Sequence, residues 1–382
     1  MSELNAFLYR DEHATGGDGP LAGVTVGVKA NIAVAGMPFH GGIGAWEDRR
    51  AQRDAEVVAR LRAAGAIIAG ILNMEEGALG SKTDNPHFGP THNPHAHGYS
   101  PGGSSGGSGA AVAAGECAVA LGTDTLGSIR IPAAHCGVYG FKPATERVCQ
   151  DGLIPADSTL DAIGPLARDL DALERVARII SDFGEHPVMG LGAVLGDHGV
   201  QVEPPVAAAF DRAMNALPEP PQTVRLSHPN GRIRYAGFIQ VSRTMARDFD
   251  GVAVSDHLGR LLTFGPQRAE EKWAEDQRIL ADTSREIRNI VEQHGFLLMP
   301  TVPNPAFPLS QAEPAAQADF TCLANIAGLP ALGIPAGWTD DGLPVGVQIV
   351  CAPGAEAGLL RIARHLDRTL QAYRPPSQGD TK

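Results

Sequence analysis

The stretch from Ser100 to Pro132, SPGGSSGGSGAAVAAGECAVALGTDTLGSIRIP, restricts what this chain can become more than any other segment. Two glycine-dense turns, residues 102–108 and 122–128, each end in serine and bracket a run of small residues, 109–121. That run is long enough for a short helix followed by a strand. Glycine tolerates positive φ and lets the backbone approach a ligand closely. Two such turns around one helix–strand unit gather two serines and several backbone N–H groups about one point. The arrangement suits a nucleophile, a proton relay and an oxyanion hole. A glycine–serine run standing alone would read as a flexible linker. Its continuation into apolar sequence, and the second turn beyond, argue against that.

The remaining pattern is helix alternating with strand. Residues 24–28 read as a strand that delivers Lys29 at its end. Residues 54–64 carry apolar positions at Val57, Val58 and Leu61, with Asp54 as the expected N-cap and Gly65 as the stop. A buried strand at 66–72 follows, then a helix over 105–114 and a strand over 117–121. Leu170, Leu173, Val176, Ala177 and Ile180 define one face of a helix over 168–181. Beyond 183 the pattern thins, and proline-rich Glu203-Pro204-Pro205 and Pro218-Glu219-Pro220-Pro221 punctuate it. A charged helix over 267–294 and strands at 296–299, 331–334 and 345–350 come next, then a helix over 356–370. Such alternation marks an α/β layered fold. One domain over residues 1–382 is expected, with a variable, substrate-shaping region at about 183–295.

The net charge of −12, without a long Lys/Arg cluster, argues against a nucleic-acid or anionic-membrane surface, since phosphate binding needs a basic footprint. Cys117, Cys136, Cys149, Cys322 and Cys351 are scattered without CxxC spacing, which fits free thiols in a reducing compartment. No basic n-region precedes an apolar run at the N-terminus, and no apolar stretch is long enough to span a membrane. A soluble cytoplasmic protein is the expectation.

The two turns resemble the amidase signature family of serine hydrolases, whose pattern is a GGSS-G-GS turn, a GTD-T-x-G-S-[IV]-R-x-P turn and an upstream lysine. Lys29 stands at the matching upstream place. Further similarity lies in Leu72-Asn73-Met74-Glu75-Glu76, in Phe88-Gly89-Pro90-Thr91-His92-Asn93-Pro94, in Gly137-Val138-Tyr139-Gly140-Phe141-Lys142-Pro143 and in Gly328-Leu329-Pro330-Ala331. The resemblance implies the amidase signature fold, a large mixed β-sheet flanked by α-helices on both faces. It also implies hydrolysis of a carboxamide C–N bond to carboxylate and ammonia or amine, without metal or organic cofactor. Fewer residues precede Lys29 than in most relatives, so elements that cover the core there are expected to be missing.

By this resemblance Ser128 is the nucleophile and forms an acyl-enzyme. Ser104, joined to Gly103 by a cis peptide, bridges Ser128 and Lys29. Lys29 must be neutral to act as a base, so burial should depress its pKa. Backbone N–H groups along Thr125, Leu126, Gly127 and Ser128 form the oxyanion hole, while Asp124 and Arg130 support the loop. Most relatives have glycine where this chain has Leu126, which is expected to filter substrate size provided the position does not need positive φ. Met74 is a further expected substrate contact. Ile131 stands where the tRNA-dependent amidotransferase family members carry glutamine, which counts against that subfamily.

Other motifs read more plainly. Ser105 and Ser108 are expected to be hydrogen-bonding scaffold. His87, His92, His95 and His97 lie in a Pro/Gly/Asn-rich loop with neither the spacing of a zinc site nor an HExxH frame. Neither glycine turn contains GxxxxGK[ST], so a nucleotide site is not expected. The expected partner is a small-molecule amide, and a homodimer is the commonest assembly for such an enzyme. Two alternatives stay open: an amidotransferase-type subunit that passes ammonia to a partner, and a partner-dependent or non-catalytic homologue.

Overall fold

The computed structural model describes residues 3–377. The first half of the chain runs β1 (Phe7–Arg10), β2 (Thr25–Lys29), α1 (Glu56–Ala63), β3 (Ile67–Leu72), the small pair β4 (Asp84–Asn85) and β5 (Gly89–Pro90), α2 (Gly106–Ala113), β6 (Val119–Asp124), α3 (Arg130–His135), β7 (Tyr139–Lys142), β8 (Ala162–Ala167) and α4 (Leu170–Ile180). The second half runs β9 (Ala193–Leu195), α5 (Pro204–Asn215), β10 (Gln222–Val224), α6 (Asn230–Asp248), α7 (Asp256–Thr263), α8 (Glu270–His294), β11 (Phe296–Pro300), α9 (Cys322–Ile326), β12 (Ala331–Trp338), β13 (Pro344–Cys351) and α10 (Glu356–Leu370).

Eleven strands form one mixed sheet in the order β1-β3-β2-β6-β8-β7-β12-β13-β11-β9-β10. Both of its faces are covered, and the strands show why. In β11, Phe296 and Leu298 join one apolar cluster while Leu297 and Met299 join the other. In β6, Val119 and Leu121 point to one side and Ala120 to the other. Side chains alternate along a strand, so a one-residue slip would exchange the two sets. Each large apolar side chain contributes about 1.5–3 kcal/mol on burial, which holds the register. Helices α1, α4, α5 and α10 pack on one face through residues such as Leu61, Leu173, Ala209 and Leu366. Helices α2, α6, α8 and α9 cover the other.

The composition of α2 follows from its position. A Cβ on Gly107 would lie 2.4 Å from the Asn73 carbonyl oxygen, so only glycine lets the helix sit this deep. Every residue of α2 is buried.

Several boundaries differ from the sequence reading. The strand expected at 117–121 runs instead over Val119–Asp124, because Gly122, Thr123 and Asp124 pair with Gly164, Ile163 and Ala162 of β8. The second serine turn therefore begins at Thr125. Asp54 does not cap α1: the N-cap position is Ala55, and the Asp54 carboxylate accepts from the Ala35 N–H at 2.8 Å. Asp169 caps α4 by accepting from Ala172 N–H. Where proline-rich sequence hid any pattern, the structure holds β9, α5, β10, α6 and α7.

Candidate active site

Parallel strands β2 and β6 lie side by side and end at the same edge of the sheet, where Lys29 and the loop after Asp124 meet the N-terminus of α2. Ligand sites in α/β sheets form at such carboxyl ends. Lys29 is fully buried, and its Nζ donates to Ser104 Oγ at 2.7 Å and to Thr123 Oγ1 at 2.7 Å. Asn31 Nδ2 donates to the same threonine oxygen at 3.2 Å. Burial pulls the Lys29 pKa from 10.5 to about 7, against the opposing fields of Asp161, Asp124 and Glu75. The amine is therefore poised between its two protonation states near neutrality.

The Gly103–Ser104 peptide is cis. Among the described residues Ser104 Oγ and Ser128 Oγ share no direct hydrogen bond. The two turns are instead tied through backbone, the Ser105 N–H donating to the Ser128 carbonyl at 3.3 Å. Ser105 Oγ donates to the Thr123 carbonyl and Ser108 Oγ to that of Leu121, so both hydroxyls anchor α2 to β6.

From Thr125 to Ser128 the chain belongs to neither strand nor helix, and its four N–H groups find no acceptor among the described residues. Buried backbone donors are almost always paired. A row of free ones beside a serine is what an oxyanion would need. The loop is held rigidly from outside. Asp124 receives the Arg130 guanidinium at 2.9 and 3.0 Å and the Ile129 N–H at 3.1 Å. Arg130 reaches on to Gln348 at 2.6 Å and Asn325 at 2.7 Å. Burial pushes the Asp124 carboxyl up, and Arg130 more than reverses this, leaving it below its usual range. Gly127 adopts φ 139°, and a Cβ there would lie 2.1 Å from Thr321 Oγ1, which itself donates to the Leu126 carbonyl at 2.7 Å.

Ser128, 8% exposed, opens onto a cleft of about 370 Å³. Thr125, Leu126 and Ile131 line it from the loop side, Arg234, Tyr235, Phe238 and Val241 from α6, and His257 and Leu261 from α7. Leu126 keeps negative φ, so its side chain is accommodated, and it packs against Gly237 of α6. The expectation that Met74 contacts substrate is corrected: it is fully buried in the apolar core and does not line the cleft.

Sequence reasoning missed four groups around the lysine. Thr123 and Asn31 lay inside the quoted motifs, but only the strand pairing turns them toward Lys29. Glu75, pushed up to about 7 by burial and then by Glu313, accepts from the Thr83 and Lys82 N–H groups. Asp161, raised to about 6 by burial, accepts from the Thr125 hydroxyl. The four loop histidines disperse: His92 stacks on His97 at 3.9 Å, His95 meets the Cys136 carbonyl at 3.0 Å, and His87 meets Glu76 at 3.0 Å. Among the described residues no group of three or more His, Cys, Asp or Glu side chains is placed to hold a metal ion, and no helix is long and apolar enough to cross a membrane.

This sheet and loop define an enzyme fold of the amidase signature type. The Amidase family model matches residues 3–186 and 235–360, and the chain belongs to that family. The unmatched interval, ending just before Tyr235, falls within the segment read as variable. Among its relatives, the glutamyl-tRNA(Gln) amidotransferase A-chain subunit of Methanosarcina mazei is 33% identical over 98% of this chain and 92% of its own length. The crystal structure of the corresponding glutamyl-tRNA(Gln) amidotransferase protein from Thermotoga maritima superposes with TM-score 0.87 at 29% identity, covering 98% of this chain and 90% of that one. A structure described as a vestigial protein complex bearing on the origins of an s-triazine catabolic enzyme superposes with TM-score 0.88 at 28% identity, covering 97% and 92%. Ile131 counted against the amidotransferase subfamily, yet curated relatives of that kind align over nearly the whole chain. One residue at the cleft does not separate the subfamilies.

Proposed function

We propose that this chain cleaves a carboxamide C–N bond through an acyl-enzyme on Ser128. The observation that carries the reading is the buried Lys29 amine, 2.7 Å from Ser104 Oγ and poised near neutrality. Neutral Lys29 draws a proton from Ser104, and Ser104 draws one from Ser128 as its Oγ attacks the amide carbon. The oxygen that gains charge is received by the free N–H groups of residues 125–128. The proton then returns along the same path to the departing nitrogen, the C–N bond breaks, and water releases the acyl group as carboxylate. Ser104 and Ser128 come into hydrogen-bond contact in this step through rotation of their hydroxyl-bearing side chains. Catalytic bonds are often long before substrate binds.

The relatives favour one setting for this chemistry. Curated proteins aligned over nearly the whole chain are glutamyl-tRNA(Gln) amidotransferase components, which supports a catalytic role in which ammonia passes to a partner. A free-standing amidase is the second reading, supported by the apolar lining of the cleft, which does not resemble a site for a charged amino acid. Treating the purified chain with a fluorophosphonate and mapping the adduct tests the shared chemistry. A single adduct on Ser128, absent in Lys29→Ala, is expected; a folded chain without one refutes it. Ammonia release by the chain alone selects the amidase, and release only with a co-purified second protein selects the transfer role.

A further inference from the structure

One wall of the cleft beside Ser128 is aromatic. Tyr235 and Phe238 lie together on α6 with ring centroids 6.3 Å apart, and Phe264, just past α7, meets Phe238 edge-on at 5.6 Å. Val241 and Leu261 extend this wall, and Leu126 lies beside the nucleophile. Phe264 is 46% exposed. Single exposed apolar residues are ordinary; this one continues a surface that leads to Ser128.

The charged groups of the walls are already engaged within the protein. Arg234 Nε donates to Asp319, and Glu313 accepts both the backbone N–H and the hydroxyl of Ser81. His257 is solvent-exposed. A zwitterionic substrate end would lose its hydration against phenyl and leucine side chains without meeting a free counter-charge, which is costly.

We infer that the cleft takes amides whose non-reacting arm is uncharged and apolar, an alkyl or aryl chain, and discriminates against amides carrying an α-amino-acid end. The inference rests on the proposed amide-cleaving reading of Ser128. The arm lies along Phe238 and Phe264 and covers the exposed ring.

The test is binding of butanamide, hexanamide, 4-phenylbutanamide and glutamine to the full-length Ser128→Ala chain, measured by calorimetry. Affinity is expected to rise about fourfold per added methylene, with glutamine weaker than butanamide. Adding Phe264→Ala, at a half-exposed position that the fold tolerates, should flatten the series, and Phe238→Ala should do so independently. A flat series, or glutamine binding tighter than hexanamide, overturns the inference. Fluorophosphonate labelling of the unaltered chain separates the two ideas. A labelled Ser128 with a flat series defeats only the substrate class, whereas an unlabelled Ser128 defeats the amide-cleaving reading and the inference with it.

Discussion

Replacing Lys29 by methionine should remove the pH dependence that its burial imposes on stability. In the unfolded chain the lysine titrates at its ordinary 10.5, in the folded chain at about 7. Between these values the unfolded state holds one more proton than the folded state. Stability therefore rises with pH across this window, by about 1.36 kcal/mol per pH unit. From pH 7 to 9 the lysine alone contributes an increase of about 3 kcal/mol, and across the whole window about 5 kcal/mol. Below pH 7 both states are protonated and the cost of the buried charge is carried in full. Lys29→Met removes this dependence and leaves Ser104 and Thr123 free to reorient their hydroxyls, at about 1 kcal/mol for each lost bond. That loss is independent of pH, so it offsets the two curves without changing their relative slope. Urea unfolding at pH 6, 7, 8 and 9 supplies the measurement. Glu75 and Lys142 also titrate near 7 but are present in both proteins, so subtraction isolates Lys29. If the difference between the two proteins stays constant from pH 7 to 9, the lysine is not held near neutrality and its role as a base fails.

Arg130→Met leaves the Asp124 carboxylate buried without its guanidinium; breaking such a pair costs about 3–5 kcal/mol, so a marked fall in Tm by calorimetry is expected. An unchanged Tm would mean the ion pair does not hold the loop. Gly127→Ala places a Cβ 2.1 Å from Thr321 Oγ1 at φ 139°, so fluorophosphonate labelling of Ser128 should slow by at least about tenfold. The companion change Thr321→Ala should recover only part of the rate, because the strained φ remains; full recovery would show that the clash alone mattered.

Local patterns carried much of this protein's description. The 3.6-residue periodicity of residues 168–181, the alternation in the C-terminal strands and the two glycine–serine turns are short-range signals, and the helices and strands formed close to where they pointed. The family was legible for the same reason, since its motifs are contiguous runs of residues. Tertiary structure decided what depends on distant pairing. Antiparallel contact with β8 turned Gly122-Thr123-Asp124 from an expected turn into the end of β6 and aimed Thr123 at Lys29. The region beyond the proline-rich middle of the chain folded into α6 and α7, whose aromatic wall meets a loop more than a hundred residues earlier in the sequence. Met74, adjacent to Glu75 in a motif, turned into the core instead of the cleft. A sequence states which side chains are available and their local period. Which of them share a low-dielectric pocket, and so which amine is neutral or which carboxyl is raised, is set only when the sheet closes around them.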